Sequence, residues 1–97
     1  MTIDVNSILI KDKSLNPKSV LLIMFFINKG AGYKPVFKHL LNQFRGIIGK
    51  DKLYLSLGQC IDKGYIERAY INVDGKRIVQ YWVCYDFDNN KFTSIKS

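Results

Sequence analysis

The sequence predicts a single α+β domain in which three helices are followed by a two-stranded β-hairpin. Apolar residues recur at helical spacing up to about residue 63, and the spacing then changes from 3.6 to 2 residues. An Asp-Gly pair, which favours a hairpin turn, lies between the two alternating segments. With 97 residues, 47% of them hydrophobic, the chain is long enough to bury one core.

The first helix is predicted to begin at Asn16-Pro17. Asparagine can cap the free N–H groups of a first turn, and proline at the first helical position loses no hydrogen bond. Residues 20–28 are apolar nearly all round, as in a central buried helix, and Gly30-Ala31-Gly32 ends it. A bilayer crossing needs about 20 apolar residues, so we expect neither a membrane span nor a targeting segment.

The second helix is predicted to start at Lys34-Pro35 and to close at Arg45-Gly46. Its apolar residues fall on one helical face and are Val36, Phe37, Leu40, Leu41 and Phe44. The connector at residues 47–49 is predicted to point one apolar side chain inward.

The third helix is predicted for residues 50–63, with Gly64 as its stop. Its apolar stripe consists of Leu53, Leu57, Cys60 and Ile61. The polar and basic residues lie mostly off that stripe and are Lys50, Lys52, Ser56, Gln59 and Lys63. We therefore expect an exposed side with groups suited to phosphates and base edges.

Strands are predicted for residues 65–71 and 78–85 around the Asp74-Gly75 turn. Residues 1–15 form an arm or short strand in this prediction, residues 16–86 the domain, and residues 87–97 a loose polar tail. The order of elements is that of a winged helix-turn-helix, in which the second and third helices form the helix-turn-helix and the hairpin is the wing.

The net charge of +7 favours a polyanionic partner, either nucleic acid or a membrane surface. Residues 29–77 hold ten basic residues against four acidic ones, which accounts for +6 of the total. A merely solvated basic surface is the alternative that charge alone leaves open.

Five motifs, taken in order, resemble the winged-helix domain of phage and plasmid replication initiators and replisome organisers. They are Leu15-Asn16-Pro17-Lys18-Ser19, Gly32-Tyr33-Lys34-Pro35, Gly49-Lys50-Asp51, Lys63-Gly64-Tyr65-Ile66-Glu67-Arg68 and Tyr81-Trp82-Val83-Cys84-Tyr85-Asp86. The resemblance covers residues 15–86 and implies duplex DNA binding in replication initiation. A small transcription regulator of a phage, plasmid or other mobile element fits equally well.

The third helix is expected to enter the major groove with its N-terminal half. The residues placed there are Lys50, Lys52, Ser56 and Gln59, with Tyr54 or Leu55 at the margin. Lysine can approach phosphate or guanine, and glutamine can pair with adenine. The alternative is a helix face that is only solvated.

The remaining candidate DNA contacts lie outside the third helix. Lys76 and Arg77 at the wing tip, with Arg68 at its base, are expected to reach the DNA backbone or the minor groove. The alternative is a turn kept soluble by its charge. Lys34 and Lys38 are expected to contact phosphates, which positions the domain without specifying sequence.

Most aromatic residues fall on core spacings, which favours burial over base stacking on single strands. The predicted core aromatics are Phe25, Phe26, Phe37, Phe44, Tyr65 and Trp82, while Tyr33, Tyr54 and Tyr70 are assigned neither to the core nor to a stacking surface. Cys60 and Cys84 lie in apolar contexts and are expected to be buried, reduced thiols of a cytoplasmic protein.

The sequence shows no catalytic motif, so we expect no enzyme. His39 lacks neighbours at metal-ligand spacing, so we expect neither a metal nor a cofactor.

The alternative function is a protein-interaction module that binds a replication or host protein through residues 3–10 and Ile47-Ile48. A homodimer on two half-sites stays open, because helix-turn-helix proteins commonly pair.

Overall fold

The computed structural model of the chain describes residues 15–89 and 91–93. Its helices are α1 (Pro17–Lys29), α2 (Phe37–Gln43) and α3 (Lys50–Lys63). Its strands are β1 (Ile66–Val73), β2 (Lys76–Val83), β3 (Tyr85–Asp86) and β4 (Lys91–Phe92). The predicted order of three helices followed by an antiparallel hairpin is confirmed, and it is compatible with a winged-helix layout. The predicted arm, apart from the buried Leu15, lies outside the described residues.

Helix α1 begins and ends at the predicted residues. The Asn16 side chain accepts a hydrogen bond of 2.9 Å from the Ser19 N–H, and Pro17 occupies the first helical position. Gly30 ends the helix with φ at 92°, a conformation that only glycine adopts easily. Within the described ranges no helix, α1 included, has the length and apolar character that a membrane crossing requires.

Helix α2 begins later than predicted, at Phe37 rather than at Lys34-Pro35. The Pro35 carbonyl instead accepts a 2.9 Å hydrogen bond from the Tyr81 N–H, and Val36 forms an antiparallel bridge with Gln80. Proline lacks only the backbone donor, so its carbonyl can still pair with a strand at the edge of a sheet. This segment therefore extends along β2 instead of opening the helix.

The hairpin is tighter than predicted, because β1 and β2 extend to the two turn residues. Asp74 and Gly75 both have positive φ, 52° and 76°, which defines the primed turn that an Asp-Gly pair favours. The register runs from Ile66 opposite Val83 to Val73 opposite Lys76. Side chains of a strand alternate between faces, so this register decides which basic residues share a side of the hairpin.

The core lies between α1, α3 and the hairpin. Leu22, Ile23 and Phe26 of α1 are fully buried in it, and the single apolar side chain that the connector directs inward is Ile48. Cys60 and Cys84 are both buried, and neither forms a disulfide, as predicted. Burial raises the pKa of the Cys60 thiol to about 12, which keeps the thiol neutral at physiological pH.

The segment predicted as a loose tail, residues 87–97, contains a paired strand in its described part, residues 87–89 and 91–93. Strands β3 and β4 pair there, and Phe92 packs edge-on against the buried Tyr65 with ring centroids 4.9 Å apart. Asp86 accepts hydrogen bonds from Asn89, which lower the pKa of its carboxyl and hold the intervening turn. Phe87 and Phe92 thus add apolar cover to the core, while residues 94–97 lie outside the described part.

Candidate nucleic-acid interface

The first two turns of α3 present a charged and apolar surface. Lys50, Asp51 and Lys52 are exposed, as are Tyr54 and Leu55. The exposure predicted for the two lysines is therefore confirmed. Asp51 lies in the first turn, where its carboxylate interacts favourably with the positive end of the helix dipole. The lysines flank it and keep this end of α3 cationic.

Two residues predicted to face DNA are turned into the protein instead. Ser56 is 2% exposed, and its carbonyl accepts a 3.3 Å hydrogen bond from the Ser19 hydroxyl. Gln59 is half-buried, and its Oε1 accepts hydrogen bonds from the Asn16 N–H at 3.0 Å and from the Ser19 hydroxyl at 2.6 Å. The start of α1 packs against this side of α3, so both residues hydrogen-bond to α1 and join the two helices.

Tyr54 of α3 lies close to both α2 and the hairpin. Its ring stacks on Phe37 of α2 at 3.9 Å, yet half of the side chain, 50%, stays exposed. The pKa of Tyr81 is raised, mainly by burial. The positive charge of Arg68 lowers this pKa, and the phenols of Tyr54 and Tyr70 raise it further. Such electrostatic influence requires proximity, so Tyr54 of α3 and both Arg68 and Tyr70 of β1 lie near Tyr81.

Arg68 and Arg77 lie on the hairpin face that also carries Tyr81. The register pairs Arg68 with Tyr81, and alternation along β1 and β2 brings Tyr70 and Arg77 to the same face. The Arg77 guanidinium lies 4.2 Å from the centre of the Tyr70 ring. This cation–π contact holds one arginine on the side of the hairpin that faces α3. Nothing in the sequence placed Tyr70 here.

Lys76 and Lys34 lie on the other face of the hairpin. Lys76 and Trp82 lie on the same face of β2, because alternate residues of a strand share a face. The Lys34 ammonium lies 5.5 Å from the centre of the Trp82 ring. The amide of Gln80 also donates a 3.2 Å hydrogen bond to the Lys34 carbonyl. Lys38 is exposed on α2. Of the basic contacts predicted outside α3, Arg68 and Arg77 thus lie on one face of the hairpin, Lys34 and Lys76 on the other, and Lys38 on α2.

Lys18 belongs to the α3 surface and was missed by the sequence analysis. It lines a shallow cleft of about 280 Å³ with Lys52, Leu55 and the start of α1. The position of Lys18 directly after Pro17 indicates an exposed residue in the first turn of α1. The packing of α1 on α3, which the sequence does not indicate, brings Lys18 beside Lys52. The surface defined by α3 and the hairpin thus has five exposed cations: Lys18, Lys50, Lys52, Arg68 and Arg77.

Gly58 offers a test of how this helix face is built. A Cβ at Gly58 would meet nothing within 4 Å, and its backbone is helical. Gly58→Ala is therefore expected to raise the free energy of unfolding by about 0.5–1 kcal/mol, measured by urea denaturation.

The matched control is Gly30→Ala, because Gly30 has equal open space but a φ of +92°. It is expected to lower stability, since alanine is strained at positive φ. A loss of stability in Gly58→Ala would show that position 58 is not in an unstrained helical conformation. If alanine at this position is more stable, the wild-type Gly58 lowers stability. In return it leaves the outer face of α3 without a side chain one turn after Leu55.

Most of the aromatic residues that the structure describes pack in or against the core, whereas Tyr54 and Tyr70 are 50% and 55% exposed. Trp82, which was predicted for the core, is only partly buried and lies outside the core cluster, beside Lys34. Phe26, Phe44 and Tyr65 are buried, as predicted, and Phe25 and Phe37 pack partly buried against the core. Tyr33, which had no predicted place, packs edge-on against Phe25 and Phe26.

Residues 15–89 and 91–93 contain no group of three His, Cys, Asp or Glu side chains arranged to hold a metal ion.

No protein-family model matches the chain, and neither a curated protein nor a solved structure matches it. The function is therefore inferred from the chain's own residues.

Proposed function

We propose that the chain is a winged-helix protein that binds duplex DNA, with α3 in the major groove and the hairpin as the wing. One observation carries the proposal: the exposed start of α3 and the arginine-bearing face of the hairpin come together around Tyr81, and both present cations. A duplex offers phosphate rows on either side of a groove wide enough for a helix. The resemblance to phage and plasmid replication initiators supports a role in replication initiation or transcription control of a mobile element. The two buried cysteines, neither in a disulfide, favour a cytoplasmic location.

The contacts of the proposed complex follow from the geometry. Lys50 and Lys52 bind phosphates at the edge of the major groove, and Arg68 and Arg77 bind the backbone or the adjacent minor groove. Lys76, on the other face of the hairpin, contributes only at its tip, beside the turn. Ser56 and Gln59 take no part, because their oxygens bond to α1 or lie buried.

The test is a titration of ¹⁵N-labelled protein with a random 30-base-pair duplex, followed by amide chemical shifts. The largest changes are expected at residues 50–55 and at the turn around Asp74-Gly75. Strands β3 and β4 pack at the C-terminal end of α3, and their amides are expected to stay unchanged. Changes confined to β3 and β4 would contradict the proposed placement.

A protein-interaction module is the second candidate, favoured by two exposed apolar side chains. Ile47 is 63% and Leu55 65% exposed. Ile48, which the sequence analysis had grouped with Ile47 as a contact, is buried and unavailable; residues 3–10 lie outside the described part. Stoichiometric capture of one protein by the wild type but not by Leu55→Ala, with no affinity for DNA at low salt, would favour this candidate.

A further inference from the structure

We infer that Leu55 contacts the 5-methyl group of thymine and makes the protein prefer A·T-containing duplexes. The inference rests on the proposed function and names what the outer face of α3 recognises when duplex DNA is bound. It assigns sequence specificity to an apolar side chain, not to the hydrogen-bonding residues that the sequence suggested.

Leu55 has the position that such a contact requires. It is the sixth residue of the 14-residue helix α3, within the N-terminal half that enters the groove in a helix-turn-helix. With 65% of its surface exposed, it is the most exposed large apolar side chain of the described residues. A single exposed leucine is common on protein surfaces, so its surroundings have to decide its role.

Those surroundings are cationic and open. Lys52 precedes Leu55 by one turn, Lys18 lies across the cleft, and Gly58 follows by one turn without a side chain. An apolar group between two cations is complementary to a major groove, where thymine methyl groups lie between two rows of phosphates. The charge also argues against a purely apolar partner.

Two polar side chains that the sequence analysis placed beside Leu55 on this helix are withdrawn. The Gln59 oxygen accepts hydrogen bonds from α1, and Ser56 is buried beneath the Ser19 hydroxyl. Lys50 and Lys52 supply charge, which binds phosphate regardless of sequence. Leu55 is thus left at the centre of the exposed face of α3, and thymine is the one base whose major-groove edge offers a methyl group.

The experiment compares two fluorescein-labelled 30-base-pair duplexes at the same salt concentration by anisotropy. One consists only of A·T pairs, and the other has deoxyuridine in place of every thymidine. The two duplexes have the same charge and the same hydrogen-bonding edges and differ in the methyl groups. Burying one methyl group changes an affinity by about fourfold, so the wild type is expected to bind the thymidine duplex at least about fourfold more tightly.

Leu55→Ala is expected to bring the ratio of the two affinities close to one, because its shorter side chain does not reach the methyl groups. Ile47→Ala is the matched control: Ile47 is equally exposed, at 63%, but precedes α3, and its variant is expected to keep the wild-type ratio. Both substitutions are at the surface, and thermal unfolding is expected to confirm that both variants stay folded.

Equal binding of both duplexes by the wild type would overturn the inference while leaving the proposed DNA binding intact. A preference for thymidine that persists in Leu55→Ala would also overturn it, because another residue would then contact the methyl group. Absence of binding to either duplex at about 50 mM salt would refute the proposed function and the inference together.

Discussion

Replacing Lys50 and Lys52 together by glutamate is expected to abolish binding of duplex DNA, with an affinity loss of at least roughly 100-fold. Each exchange removes a phosphate contact and adds a repelling carboxylate, and each of these effects is worth on the order of 1 kcal/mol at low salt. The formal net charge falls only from +7 to +3, so the protein stays basic. Anisotropy with a labelled duplex measures the loss.

The fold is expected to survive this change. Both lysines are exposed, and glutamate in a first helical turn interacts favourably with the helix dipole. The thermal unfolding midpoint is therefore expected to stay at or above that of the wild type. A variant that has lost DNA binding through unfolding would be recognised by this measurement.

The matched control reverses two lysines elsewhere and has the same net charge: Lys29→Glu with Lys91→Glu. Lys29 ends α1, and Lys91 lies on β4, beside the C-terminal end of α3. Because α3 has 14 residues and is about 21 Å long, that end lies well away from Lys50. The control is expected to weaken binding far less. Equal loss in both variants would mean that only overall charge matters and that α3 has no special place.

The second large effect is on stability: Phe26→Ala is expected to lower the free energy of unfolding by about 3–5 kcal/mol. Phe26 is fully buried, and its ring packs edge-on against Phe25 and Tyr33 at 6.2 and 5.6 Å. No neighbour can fill the space of a lost phenyl ring without moving α1, on which α3 rests. Urea denaturation measures the change.

Ile47→Ala is the control for this prediction, because the exposed Ile47 side chain buries little surface and should cost less than about 0.5 kcal/mol. If Phe26→Ala cost less than about 1 kcal/mol, α1 would not be the central helix of the core, and the support of α3 by α1 would need another explanation.

The sequence predicted best the features that local chemistry decides. Asn16-Pro17 starts α1 by capping, Gly64 ends α3 in the left-handed conformation, and Asp74-Gly75 makes the hairpin turn. Each depends on the backbone conformation of a few neighbouring residues. Pro35 shows the limit of such signals, because a proline suits a sheet edge as well as a first helical turn, and only the pairing with β2 distinguishes the two.

The candidate site was predicted less well, because it depends on which elements pack together. Ser56 was placed outside for its polarity, although it lies three residues after Leu53 and four before Cys60, on the same helical face. That spacing was the signal for its burial. No local sequence signal indicated that α1 would hydrogen-bond to Gln59 or bring Lys18 beside Lys52. These residues are about 35 to 43 positions apart in the chain.

The C-terminal part shows the same limit. Phe87 and Phe92 are spaced apolar residues in a polar segment, and their burial requires the hairpin and Tyr65 to be in place first. Their aromatic character was an available signal, but two residues with no clear periodicity do not define a strand.

The most direct test of the proposed function is the salt dependence of binding to a random 30-base-pair duplex, measured by anisotropy between about 50 and 200 mM salt. If Lys50, Lys52, Arg68 and Arg77 each neutralise one phosphate, the logarithm of the association constant should fall with the logarithm of salt at a slope of about −3 to −4. The residual binding of the Lys50→Glu, Lys52→Glu variant should show a slope no steeper than about −2, because only Arg68 and Arg77 then neutralise phosphates. Absence of binding at about 50 mM salt would contradict duplex DNA as the partner, and the exposed Ile47 and Leu55 would then point to a protein.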